Sequence, residues 1–361
     1  MINRLIDLTI QIQQIPAPTF EEAARADFVW RRFAAEGLAD IHMDSAGNVL
    51  ARLPGAGSDS PLVVSAHLDT VFPAGTDLAI RREPGRVYGP GIGDNSLGVA
   101  GLFGLVWALR ERGIQLPGDL WLAANTCEEG LGDLRGMKTL VEHFAGLPKA
   151  YLVLEGMALG HVYRKAIGVR RYKITIHAPG GHSWTDYGAP SAIHELSKLV
   201  NQITALQLPP LPRTTLNIGR IGGGTSINTI AAEAWLELDL RSEGSNSLTD
   251  LIRRVEKLVD AAEQPGVRVG AEIIGQRPPG EIVPDHPLVR LAQACLVEQR
   301  IEPVLTTGST DANIPLSQGY PALVLGLTRG GGAHTAQEFF ETAPLAQGLE
   351  QLVQFVSRAW K

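Results

Sequence analysis

The 361-residue chain carries 32 basic and 38 acidic side chains, a formal charge of −6, with 44% hydrophobic and 19% charged residues. This excludes a disordered chain and leaves no electrostatic case for nucleic-acid binding, and the length suggests about two domains. No apolar run approaches the ~20 residues of a membrane span, the first residues lack the regions of a signal peptide, and two cysteines, Cys127 and Cys295, make no disulfide framework. A cytoplasmic protein with no membrane partner is expected.

In chain order, helical spacing over 27–38 precedes a strand at 48–53 and a continuous apolar strand at 62–66 that ends in His67-Leu68-Asp69-Thr70. Asp94, within Gly91-Ile92-Gly93-Asp94-Asn95-Ser96, is a turn residue ahead of a helix with Val99, Leu102, Phe103, Val106 and Leu109 on one face. Gly98, Gly101 and Gly104 in that helix predict very close packing on a sheet. The apolar run from Trp121 to Asn125 stops abruptly in Thr126-Cys127-Glu128-Glu129-Gly130. A short helix follows, then a strand at 151–154 ending in Glu155. Alternating helices and unbroken apolar strands argue for an α/β domain with a mostly parallel sheet. In such sheets the working groups collect beyond the carboxyl ends of the strands. His67, Asp94, Glu129 and Glu155 each fall at or just past such an end.

The pattern changes after about Gly168. Strands at 172–178, 215–221, 234–240 and 267–274 and helices near 193–206 and 251–259 follow in the order β-α-β-β-α-β, the ferredoxin-like unit. This predicts an inserted α+β domain over 168–277, with 1–167 and 278–361 forming the α/β domain around it. The α/β character returns with a helix at 287–300 and a buried strand at 322–327. Gly330-Gly331-Gly332 then leads to Ala333-His334-Thr335, past another strand end, and a last helix spans 344–360.

Two imidazoles and three carboxylates, from His67, Asp94, Glu129, Glu155 and His334, could thus converge above one sheet. Imidazole and carboxylate oxygen suit zinc, and equally manganese or cobalt. Five ligands are too many for one tetrahedral ion with an open position. They suit two divalent ions roughly 3.5–4 Å apart, one carboxylate bridging, with a shared water as nucleophile. Glu128 is placed to take that water's proton and hand it to a leaving amine. Asp69, two residues after His67, fits a carboxylate that fixes the imidazole tautomer. Two adjacent glutamates at a strand end could also simply face water. No lysine or arginine follows them in sequence until Arg135.

The set Ser65-Ala66-His67-Leu68-Asp69-Thr70, Gly91-Ile92-Gly93-Asp94-Asn95, Cys127-Glu128-Glu129-Gly130 and Ala333-His334-Thr335 resembles the family of glutamate carboxypeptidase, peptidase T, acetylornithine deacetylase and succinyl-diaminopimelate desuccinylase. These are co-catalytic di-zinc metallopeptidases and deacylases, and the resemblance spans the whole chain, including an inserted lid or dimerisation domain. It implies that Asp94 bridges the metals, with His67 and Glu155 on one ion and Glu129 and His334 on the other. It implies Glu128 as the general acid/base, and a cis peptide between Asp94 and Asn95. Within the inserted domain, His182 resembles the family histidine that stabilises the oxyanion, in some members from a partner subunit. Asn228 and Arg241 resemble residues that contact substrate. A turn histidine, a turn-capping asparagine and a surface arginine fit those positions as well. Two departures stand out: many members have Asp-Asp-Lys at Asp94-Asn95-Ser96, and Glu155 leans toward carboxypeptidase or deacylase chemistry.

The expectation is a two-metal hydrolase that cleaves a peptide or N-acyl amide bond in a small, carboxylate-bearing substrate, possible as a homodimer through the inserted domain. An aminopeptidase of the tripeptidase kind is the alternative. A metal-dependent binding protein without turnover is the reading of another class, and Glu128 beside a full ligand set argues against it.

Overall fold

The computed structural model describes residues 1–361. The chain divides into two compact units, Met1–Ala166 with Gly280–Lys361, and Ile167–Pro279.

The first unit is built on a nine-stranded sheet. Its centre is parallel: Gly118–Asn125, Asp59–His67, Ala150–Glu155 and Ala322–Gly326 lie side by side in that order. Val49–Leu53 and Ala39–Met43 extend one side as antiparallel strands. On the other side, His161–Ala166 takes Val304–Gly308 as a parallel partner and Gly280–Glu281 as an antiparallel one. The central strands are apolar along nearly their whole length because both faces are covered, as a parallel sheet requires.

Helix Gly98–Glu111 is buried on every side down to Leu109, which explains its all-round apolar sequence. By length and composition the stretch Ile92–Glu111 could cross a membrane, but 94% of its apolar window is buried in this core. Gly101 faces Leu154 and Leu327 of the sheet region, whereas Gly104 faces Leu5 and Leu349. The glycines therefore admit a sheet on one side and neighbouring helices, Ile2–Gln13 and Leu345–Arg358, on the other. Small residues bring backbones together wherever they occur on a helix, and the sequence named only one of the two neighbours.

The second unit is a four-stranded antiparallel sheet in the order Thr214–Gly223, Glu233–Ser242, Gly168–His177, Arg268–Arg277. In chain order the strands are the second, third, first and fourth, which is the ferredoxin-like arrangement. Alternation in Glu233–Ser242 turns Ala234, Leu236, Leu238 and Leu240 inward. They join Leu196, Leu199 and Ile203 of helix Ala192–Thr204 and Leu251, Val255 and Val259 of helix Ser245–Ala261 in a separate core.

Candidate active site

Parallel pairing sets the site. His67 lies opposite Asn125, and Gly326 lies opposite Glu155, so strand ends that are far apart in sequence finish along one edge. From that edge, Glu128 and Glu129 follow Asn125 by three and four residues, and His334 comes eight residues after Gly326. Asp94 enters from a loop in which the Asp94–Asn95 peptide is cis, as the family resemblance implied. Gly91 there has φ +67°, and a side chain on Gly93 would run into Met157.

His67, Asp94 and Glu155 offer three ligand atoms within 4.8 Å of one another, and so do Asp94, Glu129 and His334, and His67, Glu128 and Glu129. Asp94 belongs to two of these triplets through different oxygens: Oδ1 lies 3.1 Å from His67 Nε2 and Oδ2 lies 3.2 Å from His334 Nε2. His334 Nε2 is also 3.1 Å from Glu129 Oε1, and His67 Nε2 is 3.8 Å from Glu155 Oε2. Glu128 and Glu129 are buried. Burying so many carboxylates together is costly without positive charge among them. Mixed imidazole and carboxylate donors at this spacing fit divalent ions of the zinc, manganese and cobalt type.

The titration behaviour of these groups follows from the same crowding. Burial alone would lower the His67 imidazole, but Asp69, Asp94 and Glu155 outweigh it and hold it well above its usual value. Asp94 and Glu129 raise His334 to about 10. Burial would raise Asp94, yet hydrogen bonds to His334 and His67 keep it far below the ordinary carboxylate range. Glu155 is raised by burial. Both shifts favour the protonated imidazole, because the converging carboxylates stabilise positive charge between them.

Asp69 is fully buried and its carboxylate has several partners. Oδ1 accepts from Glu128 N at 2.9 Å, and Oδ2 accepts from Glu129 N at 2.8 Å and from Thr19 Oγ1 at 2.9 Å. His67 Nδ1 lies 3.1 Å from Asp69 O and 3.5 Å from Oδ1, so Nδ1 donates to Asp69 in either protonation state and Nε2 faces the cluster. One carboxylate thus orients the imidazole and also shapes the Glu128-Glu129 backbone.

The sequence offered no cation near these acids, and here the fold corrects it. Arg25 on helix Ala23–Ala35 is fully buried and donates to Ile15 O at 3.0 and 2.6 Å and to Leu68 O at 2.7 Å. Its charge acts on Asp69 and Glu22, and burial lowers it only to about 10, so it stays cationic. Glu22 Oε1 accepts from Cys127 N at 3.0 Å. Burial pushes the Cys127 thiol up to about 12, which leaves it a small apolar group rather than a nucleophile.

Four more polar residues have partners that the sequence reading did not assign. Asn95 Nδ2 donates to Leu154 O at 2.7 Å while its Oδ1 accepts from Gly98 N and Gly156 N, both at 3.1 Å. An aspartate, having no donor when ionised, could not make the first bond, which gives the departure at this position a physical reason. Asn125 Nδ2 donates to Asp311 Oδ2 at 2.7 Å, and burial raises fully buried Asp311 to about 7. Glu338 is buried against the Asp94 loop. Asn125 ends a strand and the other three sit in turn or loop sequence, where the only signal is a polar residue near glycine or a strand end.

In the second unit, the short ladder Gly181↔Ile230, His182↔Thr229 and a bond from Ser183 N to Asn228 O at 3.0 Å bring His182 and Asn228 together. His182 Nδ1 accepts from Trp184 N at 3.2 Å, so in the neutral ring the proton sits on Nε2, which is free to donate. Arg241 is elsewhere. It lies eight residues along the strand from Glu233, roughly 25 Å at the usual rise per residue, and its Nε donates to Asp239 Oδ2 at 2.7 Å. His182 belongs to loops beyond the Glu233 end of that sheet, where Ala178 N bonds Ala232 O.

A mainly parallel α/β sheet that delivers imidazoles and carboxylates to one edge defines a metal-dependent hydrolase. The sequence pattern of peptidase family M20/M25/M40 matches residues 63–358. The chain belongs to that family. It is 28% identical over 277 residues to succinyl-diaminopimelate desuccinylase from Corynebacterium glutamicum, covering 74% of each chain. It is 27% identical over 328 residues to acetylornithine deacetylase from Erwinia tasmaniensis, covering 86% of this chain and 82% of that one. The structure of a tripeptidase from Staphylococcus aureus has the same fold, with TM-score 0.85 and 21% identity over 99% of this chain and 98% of that one.

Proposed function

We propose that the chain is a co-catalytic two-metal hydrolase of the carboxypeptidase or N-acyl-amino-acid deacylase type, acting on a small substrate with a free carboxylate. The observation that carries this is Asp94, whose two oxygens each face a different histidine, so one carboxylate serves two ligand triplets. Two zinc ions held there, or manganese or cobalt in their place, would supply Lewis acidity for an amide carbonyl and lower the pKa of the attacking water.

In this reading Asp94 would serve both ions, His67 and Glu155 would hold one, and Glu129 and His334 would hold the other. Asp69 holds His67 with Nε2 presented. Glu128 takes the proton from the attacking water and returns it to the leaving nitrogen as the amide C–N bond breaks. His182 donates from Nε2 to the oxygen that becomes negative. Arg241 and Asn228 contact the substrate, with the arginine suited to a carboxylate once Asp239 shares its fork. Relatives named for removing succinyl and acetyl groups from amino acids support an acylated amino acid as substrate. The buried free thiols Cys127 and Cys295 support a reducing cytoplasm.

His182 and Arg241 stand at opposite ends of one sheet, too far apart for one small molecule. Both touch the same substrate only if one comes from a second copy, which supports a homodimer through the inserted domain. If His182 is the group that the second copy supplies, mixing His182→Ala with Glu128→Gln, each inactive alone, restores about a quarter of wild-type activity, because half the dimers are mixed and each has one intact site. No recovery in a dimer that exchanges subunits would place His182 and Glu128 in one chain and refute a His182 supplied by the second copy.

Elemental analysis and a panel of N-acyl amino acids against tripeptides test the whole reading. Two ions per chain with hydrolysis of N-acyl amino acids are expected. Hydrolysis only of peptides with a free amine would transfer the chain to the tripeptidase kind. Two ions with no hydrolysis of any amide would favour a binding protein.

A further inference from the structure

The loop that presents Asp94 is held by a carboxylate that the proposed chemistry does not use. Glu338 is fully buried. Its Oε1 accepts from Gly93 N at 2.7 Å and from Asp94 N at 2.8 Å, and its Oε2 accepts from Gly91 N at 3.2 Å. Its own backbone is tied in both directions: Glu338 O accepts from Gly89 N at 2.9 Å, and Glu338 N donates to Thr335 O at 3.1 Å. One residue therefore links the segment carrying Asp94 to the turn carrying His334. The backbone N–H groups of Gly91, Gly93 and Asp94 converge as a concave anion cradle, and Glu338 fills it from within the chain.

We propose that Glu338 is a positioning residue for the metal site, setting where the two oxygens of Asp94 stand relative to His67 and His334. The inference rests on the two-metal reading above. Asp94 has to meet two partners on opposite sides, at 3.1 and 3.2 Å. A side chain can rotate to satisfy one partner, but satisfying two requires that its backbone be placed as well. The bonds from Glu338 supply that placement, since two of them end on Asp94 N and on the residue before it. A carboxylate is the group that suits all three donors. In a glutamine the Oε1 oxygen can still receive two of them, but the amide nitrogen is itself a donor and would face the third.

The test is Zn2+ binding to metal-free Glu338→Gln and Glu338→Ala, read by calorimetry or chelator competition well below the unfolding midpoint. Zn2+ affinity is expected to fall about 10- to 100-fold, the usual effect of removing a group that orients a metal ligand, while far-ultraviolet circular dichroism is unchanged. Turnover measured in parallel should lose kcat with KM retained and recover in excess Zn2+. Variants with lower melting temperatures but Zn2+ affinity within about threefold of wild type would reduce Glu338 to a loop staple and overturn the proposal. If the glutamine and alanine variants do not fold, Glu338→Asp decides. Its charge is kept but it is one methylene short, and unchanged Zn2+ affinity overturns the proposal equally. Wild-type protein that never exceeds one Zn2+ per chain would refute the two-metal reading instead, and the variants' affinity for that one ion would still decide the role of Glu338.

Discussion

Asp311 offers a sharp test of how this site balances stability against ion binding. It is fully buried, one oxygen bonded to Asn125 and the other without a partner, and burial raises it from 3.8 to about 7. The charges facing it are His67, which opposes the rise, and Glu155 and Asp69, which add to it. A carboxyl whose folded value exceeds its unfolded one favours the native state most below 3.8, and that advantage is lost as pH climbs to about 7. Asp311→Asn removes the titration while keeping shape. In metal-free protein its stability relative to wild type should rise by about 2–3 kcal/mol between about pH 5 and about pH 8, by integrating the linkage between those two values. Taking the change with pH cancels any fixed cost of the amide. Urea unfolding of both proteins in chelator at the two pH values measures it. Metal affinity should move the other way: cations beyond His67 favour an ionised Asp311, so the variant should bind Zn2+ more weakly than wild type. A stability difference that stays flat across this pH range would mean that Asp311 ionises normally, and the reasoning would fail.

Other outcomes follow from the same geometry. Glu128→Gln should lose about 10²- to 10⁴-fold in kcat, the range for a lost proton-transfer group, while keeping wild-type metal content by elemental analysis. A variant with substantial turnover would remove Glu128 from the mechanism. Because His334 is raised to about 10 and His67 stands well above its usual value, metal uptake near neutral pH should release protons. Affinity should therefore climb with pH. Calorimetry in buffers of different ionisation heats counts the protons, and an uptake that releases none would contradict the upward shifts of the two histidines. Arg25→Met leaves Ile15 O and Leu68 O without their donor and Asp69 and Glu22 without the nearby cation. Breaking such a buried arrangement should cost about 3–5 kcal/mol in unfolding experiments. A loss below about 1 kcal/mol would show that the arginine is replaceable.

How far the site can be read before folding depends on how local each signal is. The strand ends were legible because an apolar run that breaks into His67-Leu68-Asp69 or Glu128-Glu129 carries its meaning within a few residues, and in a parallel sheet every such end finishes along the same edge. The β-α-β-β-α-β order was legible for the same reason, since alternation and helical spacing are properties of short windows. The partners of Arg25, Asn95, Asp311 and Glu338 had no such signal. Each of the four acts through a bond to a group far away in sequence: Arg25 to Leu68 O, Asn95 to Leu154 O, Asp311 to the Asn125 amide, and Glu338 to the amides of Gly91, Gly93 and Asp94. The identity of a polar side chain does not name the distant amide or carbonyl that it will meet. The same holds for Gly104, whose sequence announces close packing but not the helices that provide it. The sequence by itself determined which groups are able to do chemistry, because imidazoles and carboxylates are written in the residue names. Only the tertiary structure decided what holds them a few ångströms apart, because that work is done by buried hydrogen bonds between segments that no local pattern connects.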